Sequence, residues 1–147
     1  MPEIWQIPEK QFVGDWEVVA YDDELERAAA SEIEEWNGRW RIRELKPLEG
    51  HPNFFTWKTS SGEGVLLLHR DAWGDLDLVG GYVHETLWLD PSIRRRGISP
   101  LLVVIKADMN GGQLEPVTYT PAGRAAHVRA HKIAVARAKR EGYRIPE

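Results

Sequence analysis

The residues best suited to chemistry lie in one stretch, Leu87–Leu102, which reads LWLDPSIRRRGISPLL. An apolar run ends at Asp90-Pro91, three consecutive arginines follow, and Gly97 precedes an apolar segment of helical length. A strand–loop–helix junction of this kind aims unpaired N–H groups and a positive dipole end at one point, a ready site for phosphate or pyrophosphate. Gly97 lets ligand oxygens approach the main chain, and Arg94, Arg95 and Arg96 add charge for the anion. A purely structural junction is the plainer alternative. It does not require three arginines ahead of its glycine.

The junction needs a strand before it and a helix after it, and the chain supplies both patterns. Leu76–Leu89 reads as one long strand interrupted at Gly80-Gly81, where a bulge or a close backbone approach is expected. From Ser99 a helix runs to about Asn110, with Pro100 in its first turn and Gly111-Gly112 ending it. Upstream, Trp16–Tyr21 reads as a short strand, and Asp22 or Asp23 caps a helix over Glu24–Trp36 that Asn37-Gly38 stops. Arg39–Leu45, Asn53–Thr59 and Gly64–Arg70 read as strands, the last two forming a hairpin through Ser60–Glu63. Pro116–Thr120 adds a short strand; Thr120 then caps, and Pro121 opens, a last helix closed by Gly142. The order β-α-β-β-β-β-α-β-α predicts a mixed α/β (α+β) fold, a sheet covered by helices, in one domain over residues 1–147.

Leu87-Trp88-Leu89-Asp90-Pro91, then Arg94-Arg95-Arg96-Gly97-Ile98-Ser99, resembles the acyl-CoA signature of the GNAT superfamily of N-acyltransferases. That signature is a strand ending in apolar-x-apolar-x-Pro, followed by Arg/Gln-x-x-Gly-x-Gly/Ala and an apolar helix. The later short strand and the final helix closing in Gly142-Tyr143 are similar to the family's order. The likeness covers residues 64–143. Ser99 stands where Gly or Ala is usual, Arg95 where a small residue is common, and Ala138 where many members carry a tyrosine acid.

The resemblance implies a GNAT-like, mostly antiparallel central sheet flanked by helices, and acetyl-CoA or another acyl-CoA as co-substrate without a metal. The main chain of Leu87, Trp88 and Leu89 would pair with the pantetheine arm, and the amides of Arg95–Ser99, Ile98 included, would hold the pyrophosphate. An acceptor amine would attack the thioester carbonyl, and a backbone N–H of the same strand would stabilise the oxyanion. That amine must be neutral, so a base is required. With a regular pleat, Glu85 shares a face with Val83, Leu87 and Leu89, while Tyr82, His84 and Thr86 point the other way. Glu85 is thus the candidate base, or else an edge-of-sheet glutamate in water. A histidine suits base chemistry near neutral pH, but the reading favoured for His84 is a structural hydrogen-bonding group. Tyr119 is the candidate acid, or else a packed aromatic.

Other signals point elsewhere or nowhere. His127 and His131 share a helix face at i, i+4, but the basic neighbours Arg124, Arg129 and Lys132 oppose a cation, and no metal is expected. The alanines at 122, 126, 130, 134 and 138 predict close helix–sheet packing. Seven tryptophans are mostly core material, with one or two free to line an acceptor groove. No P-loop, G-x-S-x-G elbow or dinucleotide fingerprint occurs, which removes support for nucleotide hydrolysis and serine esterase chemistry.

Zero cysteines exclude disulfides, thiolate metal sites and a cysteine nucleophile. No apolar run approaches a membrane span and the N-terminus shows no signal pattern, so a cytoplasmic protein, monomer or homodimer, is expected. The net charge of −4 hides a gradient from −7 over residues 1–50 to +5 over residues 122–147. Function classes left standing are an N-acetyltransferase, a catalytically inactive binding protein of the same fold, and a nucleic-acid-facing protein using Arg94–Arg96 and the basic last helix. The gradient by itself favours a solvated helix face over nucleic acid.

Overall fold

A computed structural model describes residues 17–20, 22–36, 45–59, 63–109, 114 and 118–143. Its elements are β1 (Glu17–Val18), α1 (Asp23–Glu35), β2 (Lys46–Pro47), β3 (Phe54–Lys58), β4 (Gly64–Arg70), β5 (Leu76–Val83) and β6 (Thr86–Leu89). A 3-10 turn at Pro91–Ile93, then α2 (Ile98–Met109), β7 (Thr118–Tyr119) and α3 (Pro121–Arg140) complete them. Among the described residues, β2-β3-β4-β5-β6 form an antiparallel sheet in that order, and β1 pairs with β7 in parallel. This is a mixed α+β fold with helices on both faces of the sheet.

The central strand explains the layering. Gly64–Leu68 is buried residue after residue, because both faces of β4 are covered. Its alternation then sorts the core. Val65 and Leu67 join Phe54, Tyr82 and Leu89 beneath α2 and α3, whereas Leu66 and Leu68 join Trp57 and Val83 beneath Ile33 of α1. Each such fully buried aliphatic side chain stabilises the fold by about 1.5–3 kcal/mol.

Helix ends follow their local chemistry. Asp22 accepts from the Leu25 N–H at 2.9 Å at the start of α1, and Thr120 Oγ1 accepts from the Gly123 N–H at 3.0 Å at the start of α3. The alanine stripe of α3 is buried at Ala126, Ala130, Ala134 and Ala138. It packs principally against α2 and not, as the spacing alone suggested, against the sheet. Small side chains at i, i+4 let two helices approach as readily as a helix and a sheet. No helix among the described residues is long and apolar enough to cross a membrane.

One expectation is corrected. Leu76–Leu89 is not a single strand but a hairpin, with His84 and Glu85 as its two-residue turn. The chain reverses because His84 adopts φ 52°, the left-handed region that tight hairpins use. Gly80 and Gly81 keep their expected role. Leu67 pairs with Gly80 but Leu68 with Leu78, so Val79 is bulged out beside the glycines. A side chain on Gly80 would come within 2.6 Å of Leu89 Cδ2 and the Trp88 carbonyl, and one on Gly81 within 2.7 Å of the Val65 carbonyl. The expected Arg39–Leu45 strand lies outside the described residues except for Leu45, which precedes β2.

Candidate functional site

The site is built on β6, one of the two edge strands of the five, and on the loop that leaves it. Leu87 and Trp88 are half-buried and Leu89 is buried, each held by antiparallel pairing to β5. Three anchors shape the loop after them. Asp90 Oδ1 accepts from Ser92 N–H at 2.9 Å and Ser92 Oγ–H at 2.7 Å, bonds that, with Arg94 nearby, hold its carboxyl below the ordinary range. Ile93 plugs into the core at 6% exposure. Arg94 folds back: Nε donates to the Leu89 carbonyl at 2.9 Å, and Nη2 donates to both Glu26 carboxylate oxygens at 2.8 Å.

Arg94 is therefore tied to α1 while its side chain stays partly exposed. Trp88 Nε1 donates to the same Glu26 carboxylate at 3.0 Å, so one acidic side chain ties β6, the loop and α1 together. Nothing in the sequence pointed to Glu26, because its partners are 62 and 68 residues away. The pair is about a quarter to a third exposed, which limits its worth. A double-mutant cycle on Glu26→Gln and Arg94→Gln, read by chemical denaturation, is expected to give a coupling of about 0.5–1 kcal/mol that shrinks with salt. Additive effects would show that the two side chains do not depend on one another.

Past Arg94 the loop opens outward. Arg95 and Arg96 are exposed; Arg95 has φ 67° and Gly97 φ 76°. The left-handed conformation is ordinary for glycine and strained for arginine by about 1–2 kcal/mol. A Cβ on Gly97 would meet no atom within 4 Å, so the space before it is open. Ile98 is buried, Ser99 half-buried, and α2 begins here with the first-turn N–H groups that no helix can satisfy internally. Arg95 and Arg96, with the main chain at Gly97, are thus the charged and polar groups beside this open space.

Glu85 and His84 stand at the opposite end of β6, both exposed in the hairpin turn. The expected strand-borne carboxylate is thus a turn carboxylate. Val83 faces α1, while Leu87 and Leu89 face α2 and α3, so the face that Glu85 was expected to share with all three does not exist. The His84 ring lies 5.5 Å from that of Trp36 at the end of α1. β7 sets Tyr119 opposite Val18; the Tyr119 side chain lies outside the described part of the structure.

A second polar cluster is buried under α2 and α3. His127, 2% exposed, has Nδ1 2.7 Å from the Gly123 carbonyl and Nε2 2.9 Å from Tyr82 Oη. A carbonyl only accepts, so Nδ1 carries the proton and the Tyr82 hydroxyl donates to Nε2. Lys106, 4% exposed, donates to the Glu63 carbonyl, and its ammonium lies 5.9 Å from the Tyr82 ring centroid. Burial pushes the pKa of both His127 and Lys106 down.

That shift has a sign for stability. Below the unfolded value of about 6.5, only the unfolded chain takes up the His127 proton, so stability falls with pH by up to about 1.4 kcal/mol per unit until the folded group titrates. Between pH 7 and pH 5 the wild-type melting temperature is expected to fall more steeply than that of His127→Gln. Parallel curves from thermal melts would show that burial of this ring carries no penalty.

No protein-family model, curated protein or solved structure matches the chain. Among the described residues, no group of three or more His, Asp or Glu side chains could hold a metal ion.

Proposed function

We propose that the protein is an acyl-CoA-dependent N-acyltransferase of the GNAT kind, working in the cytoplasm and transferring an acetyl or related group from the CoA thioester to an amine. The observation that carries this reading is the junction of β6 with α2. An outermost strand runs into an arginine loop that ends at open space before Gly97 and the start of an apolar helix. The main chain of Leu87 offers an edge for the pantetheine arm, since Trp88 turns its N–H and carbonyl toward Gly81 of β5 and the Leu89 carbonyl already accepts from Arg94. Arg95 and Arg96 supply the positive charge, and the amides of Gly97–Ser99 the directional donors, for a pyrophosphate.

In the transfer step the neutral amine attacks the thioester carbonyl, and an N–H of β6 holds the oxyanion. Glu85, or His84 beside it, takes the amine proton, and the departing thiolate is protonated by Tyr119 or water. A binding protein of the same architecture is the second reading. It is favoured by one observation, that both base candidates sit in a solvent-facing turn.

Acetyl-CoA at a hundred times its dissociation constant is expected to stabilise the fold by about 2.7 kcal/mol. For a chain of this size that is a rise of roughly 5–10 °C in melting temperature. No rise with acetyl-CoA, and no CoA species on the purified protein by mass spectrometry, would remove the acyltransferase and binding-protein readings together.

A further inference from the structure

Trp73 is the large apolar side chain that the described fold leaves most fully in water, at 89% exposure, and neither hydrophobic cluster includes its ring. It stands at the tip of the β4–β5 hairpin, and that tip is preorganised. Asp71 Oδ1 accepts from the Trp73 N–H at 2.8 Å and the Asp75 N–H at 3.0 Å. The Asp71 main chain closes the turn with the Asp75 carbonyl at 2.9 Å and the Gly74 N–H at 3.1 Å. Gly74, at φ 85°, makes the reversal. All of these contacts are made by Asp71 and the main chain, so the turn needs no tryptophan. The turn fixes the main chain beneath this indole, so docking would order only its two side-chain torsions while burying its apolar surface.

The charge around the tip selects the partner. Asp75 and Asp77 are exposed and Asp71 is half-buried. Arg70, the cation beside them in sequence, lies over the Phe55 ring at 4.6 Å. It pairs across the ladder with Leu76, while Asp77 pairs with His69, so Arg70 and Asp77 occupy opposite faces. We infer that this tip is a docking anchor for a cationic, arginine-bearing segment of another protein. A guanidinium plane stacks on the indole face while its N–H groups reach the Asp75 or Asp77 carboxylate. Nucleic acid and anionic lipid would meet the carboxylates first and be repelled. The inference stands apart from the acyl-transfer reading, since it uses neither the arginine loop nor CoA.

The test is an NMR titration of the full-length, 15N-labelled chain with hexa-arginine at about 0.15 M salt, where non-specific attraction is screened beyond about 8 Å. The Trp73 indole N–H signal is the one missing from Trp73→Ala, a variant that leaves both cores and all turn hydrogen bonds in place. That signal is expected to shift saturably in wild type. Affinity is expected to fall at least about tenfold in Trp73→Ala and several-fold in the Asp75→Asn, Asp77→Asn double variant. Equal affinity in wild type and Trp73→Ala would overturn the inference, as would the absence of a saturable shift. Trp73-dependent self-association, or binding to phosphatidylcholine vesicles, without a response to hexa-arginine would overturn it too.

Discussion

Replacing Gly97 by valine is expected to abolish the rise in melting temperature that acetyl-CoA produces in the wild type. A Cβ at this position meets no protein atom within 4 Å, so the branched side chain projects into the space assigned to the pyrophosphate. The backbone also matters, because φ is 76° here. A β-branched residue in the left-handed region costs about 1–2 kcal/mol or more, which lowers the unliganded melting temperature by several degrees and leaves a transition to measure. Gly97→Asn separates the two effects, since asparagine accepts this φ with little strain yet fills the same space. Loss of the acetyl-CoA response in both variants assigns the site. A folded Gly97→Val protein that still responds fully would take the pyrophosphate away from this loop.

Glu85→Gln is expected to lower acyl transfer to an amine acceptor while leaving the affinity for CoA unchanged. General-base loss is typically worth roughly 10²–10⁴-fold. An exposed turn carboxylate in water belongs at the lower end, about 10²-fold. The separation of effects follows from position, because Glu85 precedes β6 and the arginine loop follows it. His84→Ala removes the ring that faces Trp36 and relocates no CoA contact, so its expected effect is on stability. Thiol release from acetyl-CoA across a panel of amines, with kcat and KM separated, is the assay. Full rate in Glu85→Gln with loss in His84→Ala would make the histidine the base. Acetyl-CoA binding with no amine acylated by the wild type would leave the binding-protein reading.

Helix ends were readable in the chain because their causes are local. Asp22, Thr120, Pro121 and Gly142 each act through atoms within four residues, and each ends its helix where the sequence places it. The α+β class was readable for a similar reason, since apolar periodicity reports which faces are covered. The β5–β6 reversal was not. Leu76–Leu89 alternates well enough for one strand, and His-Glu is not a turn pair of the Asn-Gly kind. Only pairing across the ladder, with Gly81 opposite Trp88 and Tyr82 opposite Leu87, decides that the chain turns back.

The candidate site divides along the same line. The order strand, arginines, glycine, helix is a property of consecutive residues, so the junction was visible in the sequence together with the charge and main-chain freedom it offers an anion. Which arginines face outward was not visible. Three equivalent letters in a row became one internal tie to Glu26 and two exposed side chains, because Glu26 comes from a helix 68 residues upstream. His127 illustrates the limit in the other direction. Its spacing to His131 marked a shared helix face, but the hydroxyl that meets its ring belongs to Tyr82, 45 residues away in β5. Local conformation is set by neighbours along the chain, whereas the partner of a charged or hydrogen-bonding side chain is set by whichever element the hydrophobic layers bring against it.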